Sequence, residues 1–135
     1  MVYLNRCTAS TDRLLLTWSA PEYYVFARRA FAGGHAWIQS PAYDSLRDQN
    51  RMLARLRRQR VPIVLVNDTR RDAFARRYPL IDGFVREAYV AVGHYKNYDD
   101  DDITIAVRRD LKATGSYGDD DLPCGFTGIG SSPAT

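Results

Sequence analysis

The chain has 135 residues, 45% of them hydrophobic and 26% charged, which describes one domain of ordinary size with enough apolar content for a core. Its apolar runs, such as Leu14–Leu16 and Val61–Val66, are strand-sized and far short of the roughly 18 residues of a membrane span. The net charge of +3 conceals an asymmetry: residues 1–98 carry 16 Lys/Arg against 8 Asp/Glu, and residues 99–135 carry 3 against 8. The opening Met-Val-Tyr-Leu-Asn-Arg lacks the apolar region and cleavage site of a signal peptide. Taken alone, the chain is expected in the cytoplasm; as a piece of something larger, it is not bound to that compartment. The basic part is mostly arginine, suited to phosphate, lipid headgroups or nucleic acid. Solvated helix faces explain the same residues more simply.

In chain order, Val2–Arg6 reads as the end of a helix or a linker. Arg13–Trp18 is predicted as a first strand, apolar enough to be buried on both faces. Ser19 then opens a helix, and Ser-Ala-Pro-Glu fits a capping box in which Glu22 reaches back to the Ser19 amide. Pro21 falls in the first turn, where a missing N–H is harmless. The helical stripe runs to about Phe31, and Gly33-Gly34 ends it. His35–Gln39 is a short second strand. Ser40 caps the next helix, with Pro41 at its first position, and this helix extends to about Arg58. Leu46, Leu53 and Leu56 mark its inward face, while Arg47, Arg51, Arg55 and Arg58 share one outer stripe.

Val61–Val66 is the third strand, followed by Asn67-Asp68-Thr69 and a helix from about Arg70 to Arg77. Tyr78-Pro79 interrupts it, and Leu80–Glu87 forms another helical piece. Ala88–His94 is a fourth strand, Tyr95–Asp102 a polar turn, and Ile103–Arg109 alternates as an antiparallel edge strand. Beyond Asp110 the chain is rich in Gly, Asp, Ser and Pro, and no further element is assigned. This order predicts an α/β fold: a three-layer αβα, Rossmann-like domain whose mostly parallel sheet of about five strands ends in a C-terminal antiparallel edge hairpin. Residues 1–126 form a single domain and 127–135 a flexible tail.

Ligands of open α/β sheets collect outside the carboxyl ends of strands. Two junctions qualify. At the first, Ser19 and Glu22 border a helix start, but Gly-x-Gly-x-x-Gly is missing, and capping explains both residues. At the second, Asn67-Asp68-Thr69, Asp68 suits a ribose or sugar hydroxyl or a metal-bound water, with Asn67 beside it as a further ligand candidate, although Asp68 or Thr69 equally serves as a helix cap. The run Asp99–Asp102 lacks the spacing of a calcium loop and reads as a solvated hairpin, so no metal is expected. His35 and His94 fall on different strands with no nucleophile elbow nearby; His35 joins Ser19, Glu22, Asn67 and Asp68 as a candidate ligand-binding residue. No cofactor motif appears. The aromatic residues lie on core stripes rather than in a base-stacking signature, so nucleic acid is not an expected partner. Cys7 and Cys124 are too few for a disulfide framework. They are buried or free thiols in a cytosolic protein, or a staple between the termini in an oxidising compartment.

Three groups of residues resemble a known family: Arg6-Cys7-Thr8, then Asp12 through Glu22 (Asp-Arg-Leu-Leu-Leu-Thr-Trp-Ser-Ala-Pro-Glu), then Phe31-Ala32-Gly33-Gly34. They are similar to the soluble C-terminal segment of polytopic membrane glycosyltransferases that use lipid-phosphate sugars, the type related to protein O-mannosyltransferases and the aminoarabinose transferase. Thr114-Gly115-Ser116-Tyr117-Gly118 and Leu122-Pro123-Cys124 resemble the close of that segment, so the likeness spans residues 6–126. The resemblance implies a periplasmic, non-catalytic α/β module whose partner is the membrane-embedded part of the same polypeptide. The catalytic acids of such enzymes lie in that membrane part, so no catalytic residue carries over. It also favours the Cys7–Cys124 staple and a contact of Arg47, Arg51, Arg55 and Arg58 with anionic lipid headgroups.

Overall fold

A computed structural model describes residues 2–35 and 42–128. The chain is α/β. Its main sheet has five strands: β1 (Arg13–Leu16), β2 (Ala30–Phe31), β3 (Ile63–Asn67), β4 (Tyr89–Lys96) and β5 (Asp102–Arg108), in the order β2-β1-β3-β5-β4. β1 pairs in parallel with both β2 and β3, while β5 runs antiparallel to both β3 and β4. The sheet is therefore mixed rather than mostly parallel, and the antiparallel strand is not at the edge. β5 is buried along most of its length because it lies between β3 and β4, and the more exposed β4 takes the edge.

Side-chain alternation divides the core into two. Leu14, Leu16, Ile63, Leu65, Ile103, Ile105 and Val107 face one side; Leu15, Val64, Val66 and Ala106 face the other. The second side is covered by α3 (Leu46–Arg58), α4 (Arg71–Arg77) and α5 (Pro79–Ala88) through Met52, Leu56, Phe74, Ile81 and Val85. Gln49 is buried between these helices, with its Nε2 donating to the Asp44 carbonyl and its Oε1 accepting the Leu80 amide. That amide is one of those a helix start leaves free, so α3 and α5 are joined where α5 begins.

The first side is covered by α1 (Val2–Cys7), α2 (Glu22–Ala27) and a two-stranded antiparallel hairpin, β6 (Leu111–Tyr117) and β7 (Leu122–Gly128). The hairpin segment carries no strand signal in the sequence, because Gly115, Pro123 and Gly125 mimic a loop. Tyr117, Leu122, Cys124 and Phe126 nonetheless rest on the core. A Cβ at Gly93 would lie 2.9 Å from Leu122 Cδ2, so glycine lets the hairpin settle onto β4. Residues 127 and 128 complete β7 instead of starting a tail.

Three local expectations change. α2 starts at Glu22 with Pro21 as its N-cap and no side-chain cap, so Ser19 and Glu22 do not form a capping box. α2 also ends early: Arg28 adopts a left-handed conformation at φ 56°, and β2 begins at Ala30, before His35. Gly33-Gly34 forms a later turn, in which a Cβ on Gly33 would sit 2.7 Å from Met52. α3 is capped by Ser45, whose hydroxyl accepts the Asp48 amide, and Leu46 is exposed. The residues expected as its start, Ser40 and Pro41, lie outside the described residues, as does most of the expected second strand.

Cys7 and Cys124 are bonded, joining the C-terminal end of α1 to β7 across a separation of 117 residues. Arg29 supports the same end of α1, donating to the Asn5 and Thr8 carbonyls and to the Thr8 hydroxyl. Arg60 pairs with buried Asp12 at 2.9 Å and also donates to the Phe126 carbonyl, tying β7 to the loop before β1. Reducing the disulfide, or replacing both cysteines by serine, is expected to lower unfolding free energy by about 2–5 kcal/mol, read from urea midpoints of oxidised and reduced protein. A change below about 1 kcal/mol would show that packing alone holds the helix–hairpin layer.

Candidate functional site

The connection after β1 enters α2 on one side of the sheet, and the connection after β3 enters α4 on the other. β1 and β3 are parallel neighbours, so their carboxyl ends diverge into a crevice at a topological switch point. A cleft of about 610 Å³ opens there, within the range of small-molecule sites. Thr17, Trp18 and Ser19 line it from the end of β1, Arg70, Phe74, Arg76, Arg77 and Tyr78 from the α4 side, and Asp99 from the β4–β5 turn.

The wall is braced from behind. Asn67, at the end of β3, is buried; its amide donates to Thr17 Oγ1 at 3.0 Å, which locks the two strand ends together. Its Oδ1 accepts the Arg70 amide, and its Nδ2 donates to Asp101 Oδ2 at 2.8 Å. Asp101 also accepts from Arg70 Nε at 3.1 Å. Hydrogen bonds from Asn67, then from Arg70, hold the Asp101 carboxyl below its ordinary range. Asn67, rather than Asp68 or Thr69, is thus the cap of the 3-10 turn Asp68–Arg70. At the far end of α4, burial pushes the Tyr78 hydroxyl up to about 12, with Asp44 adding to the shift, and this hydroxyl donates to the Ala42 carbonyl.

Of the ligand residues expected from the sequence, only Ser19 lines the cleft. Glu22 accepts the Tyr98 hydroxyl at 3.1 Å, linking α2 to the β4–β5 turn. Asp68 meets Thr104, whose hydroxyl donates to it, while Thr104 Oγ1 and His94 Nδ1 are 2.9 Å apart. The single hydroxyl proton goes to Asp68, so His94 supplies the proton of the second bond from Nδ1. Thr104 is buried and engaged on both sides, which makes the trio a brace rather than a nucleophile. The sequence separates these three residues, and only the β3–β5–β4 pairing unites them.

His35 is elsewhere, stacked on Tyr43 with ring centroids 3.6 Å apart. Desolvation, and then Arg55, lower its pKa. Arg47, Arg51 and Arg58 are exposed on α3, whereas Arg55 folds back toward the Gly33 carbonyl. Among the described residues, no group of His, Cys, Asp and Glu could hold a metal ion. Sequence reasoning missed Arg70, Arg76 and Arg77 as site residues, although Arg70 directly follows the Asn67-Asp68-Thr69 junction. Comparison with protein-family models, curated proteins and solved structures finds no match.

The Asp101 brace has a pH signature. Its folded pKa is depressed, so its contribution is complete above the ordinary carboxyl value of 3.8 and is lost as pH falls through the lower folded value. Asp101→Asn should therefore lower the thermal midpoint near neutral pH, and its gap from the parent should narrow below 3.8. A gap constant with pH would show that the carboxylate charge is not involved.

Proposed function

We propose that the chain is an extracytoplasmic module of a membrane glycosyltransferase, attached to the membrane-embedded part of the same polypeptide and not itself catalytic. The observation that carries this reading is the Cys7–Cys124 bond, because structural disulfides persist in oxidising compartments such as the periplasm. No described helix is long and apolar enough to cross a membrane, so this reading places the spanning segments outside the sequence. The module would assist acceptor binding or stabilise the membrane part. Its fold is read as a Rossmann-like derivative: the parallel set β2-β1-β3 keeps the switch point, and the hairpin layer replaces part of the helical cover. The exposed Arg47, Arg51 and Arg58 form the surface for anionic headgroups, each arginine near such a surface contributing about 1 kcal/mol.

Labelling of intact cells with a membrane-impermeant thiol reagent, before and after reduction, tests the compartment. Labelling only after external reduction is expected; reactive thiols reached only after lysis would overturn the reading. In vesicle sedimentation at low salt, replacing Arg47 and Arg51 by glutamate should reduce binding to anionic vesicles. Absence of binding by the parent protein at low salt would remove the headgroup contact.

The cleft at the switch point favours a second reading, an independent small α/β protein that binds a phosphorylated or sugar ligand. Reduced cysteines in cytoplasmic protein, together with saturable ligand binding, would select it.

A further inference from the structure

We propose that the cleft between the ends of β1 and β3 binds a phosphorylated sugar, with Arg70, Arg76 and Arg77 receiving the phosphate and Trp18 and Asp99 the sugar. The proposal deepens the second reading above, yet it concerns a site that a tethered module would carry equally. Three arginines line the cleft against one acidic residue, Asp99. Arg76 and Arg77 have no ion-pair partner among the described residues. Arg70 spends only its Nε on Asp101. Its terminal nitrogens stay available, and the Asn67–Asp101 network fixes the direction of the side chain before any ligand arrives. Planar guanidinium forks match phosphate oxygens.

The remaining lining distinguishes a sugar phosphate from a bare anion. Trp18 is buried against Tyr23 in an edge-on contact, with ring centroids 5.4 Å apart, and so offers the cleft a rigid aromatic wall. The Thr17 hydroxyl accepts the Asn67 amide, and its own proton has no acceptor among the described residues. Asp99, from the β4–β5 turn, adds an acceptor to the lining. A second phosphate would be repelled there, whereas a sugar hydroxyl would donate to it. The cleft volume of about 610 Å³ accommodates a sugar ring with its phosphate.

Calorimetric titration of the oxidised 135-residue chain with glucose 1-phosphate, inorganic phosphate and glucose tests the proposal. Glucose 1-phosphate should bind at least about tenfold tighter than phosphate, with no measurable binding of glucose at millimolar concentration. Replacing Arg76 and Arg77 by alanine should weaken glucose 1-phosphate binding by about tenfold or more. Both side chains are exposed, so the thermal midpoint should stay unchanged. Asp99→Asn should weaken binding of glucose 1-phosphate while leaving phosphate unaffected. Equal affinity for phosphate and glucose 1-phosphate, no saturable binding of either, or full binding by the double arginine variant would each overturn the proposal. None of these outcomes bears on the redox state of Cys7 and Cys124, so the module reading is tested separately.

Discussion

β3 is the constraint on which the structure depends. All five of its residues are buried, with β1 in parallel on one edge and β5 antiparallel on the other. Its alternating side chains supply both hydrophobic cores, Ile63 and Leu65 to one and Val64 and Val66 to the other. Burying one such side chain contributes about 1.5–3 kcal/mol, and β1 and β5 on its two edges alternate between the same two cores. Its last residue, Asn67, is polar and equally buried, and it satisfies its amide group through Arg70 and Asp101. The transition from core to cleft therefore happens within one residue.

That transition organises the basic and acidic halves of the chain. Arg70 comes from the arginine-rich part and Asp101 from the acidic run; their contact positions the β4–β5 turn against the end of β3. The run Asp99–Asp102 is thus not one solvated feature. Asp101 is buried and bonded, Asp102 pairs with Lys96 at 3.0 Å, and Asp99 borders the cleft. One stretch of identical residues performs three different tasks, because alternation and the turn point successive side chains in different directions.

The sequence made some elements legible because their signals are local. β1 and β3 are continuous apolar runs, and α3–α5 follow helical spacing. Other features depended on partners distant in the chain. The alternation of Ile103–Arg109 indicates a strand and suggests an edge, but it cannot tell that β3 and β4 flank β5 on both sides. The β6–β7 hairpin is not legible in the sequence because its few apolar residues matter only once they meet the core. Ser19-Ala-Pro-Glu22 satisfies the capping pattern, yet Glu22 is engaged by Tyr98 from the far side of the chain. The arginines of the cleft look like solvated helix positions until the switch point brings Thr17, Trp18 and Ser19 alongside them.

The covalent link between α1 and β7 also sets how the domain carries load. Residues between Cys7 and Cys124 form a closed loop that contains the whole five-stranded sheet. Tension applied between the two ends of the chain passes from α1 through the sulfur–sulfur bond into β7, bypassing the ladders of the sheet. A domain pulled from its termini would lengthen only by the segments outside the loop. The crevice between β1 and β3 would keep its shape under forces that unravel an uncrosslinked fold.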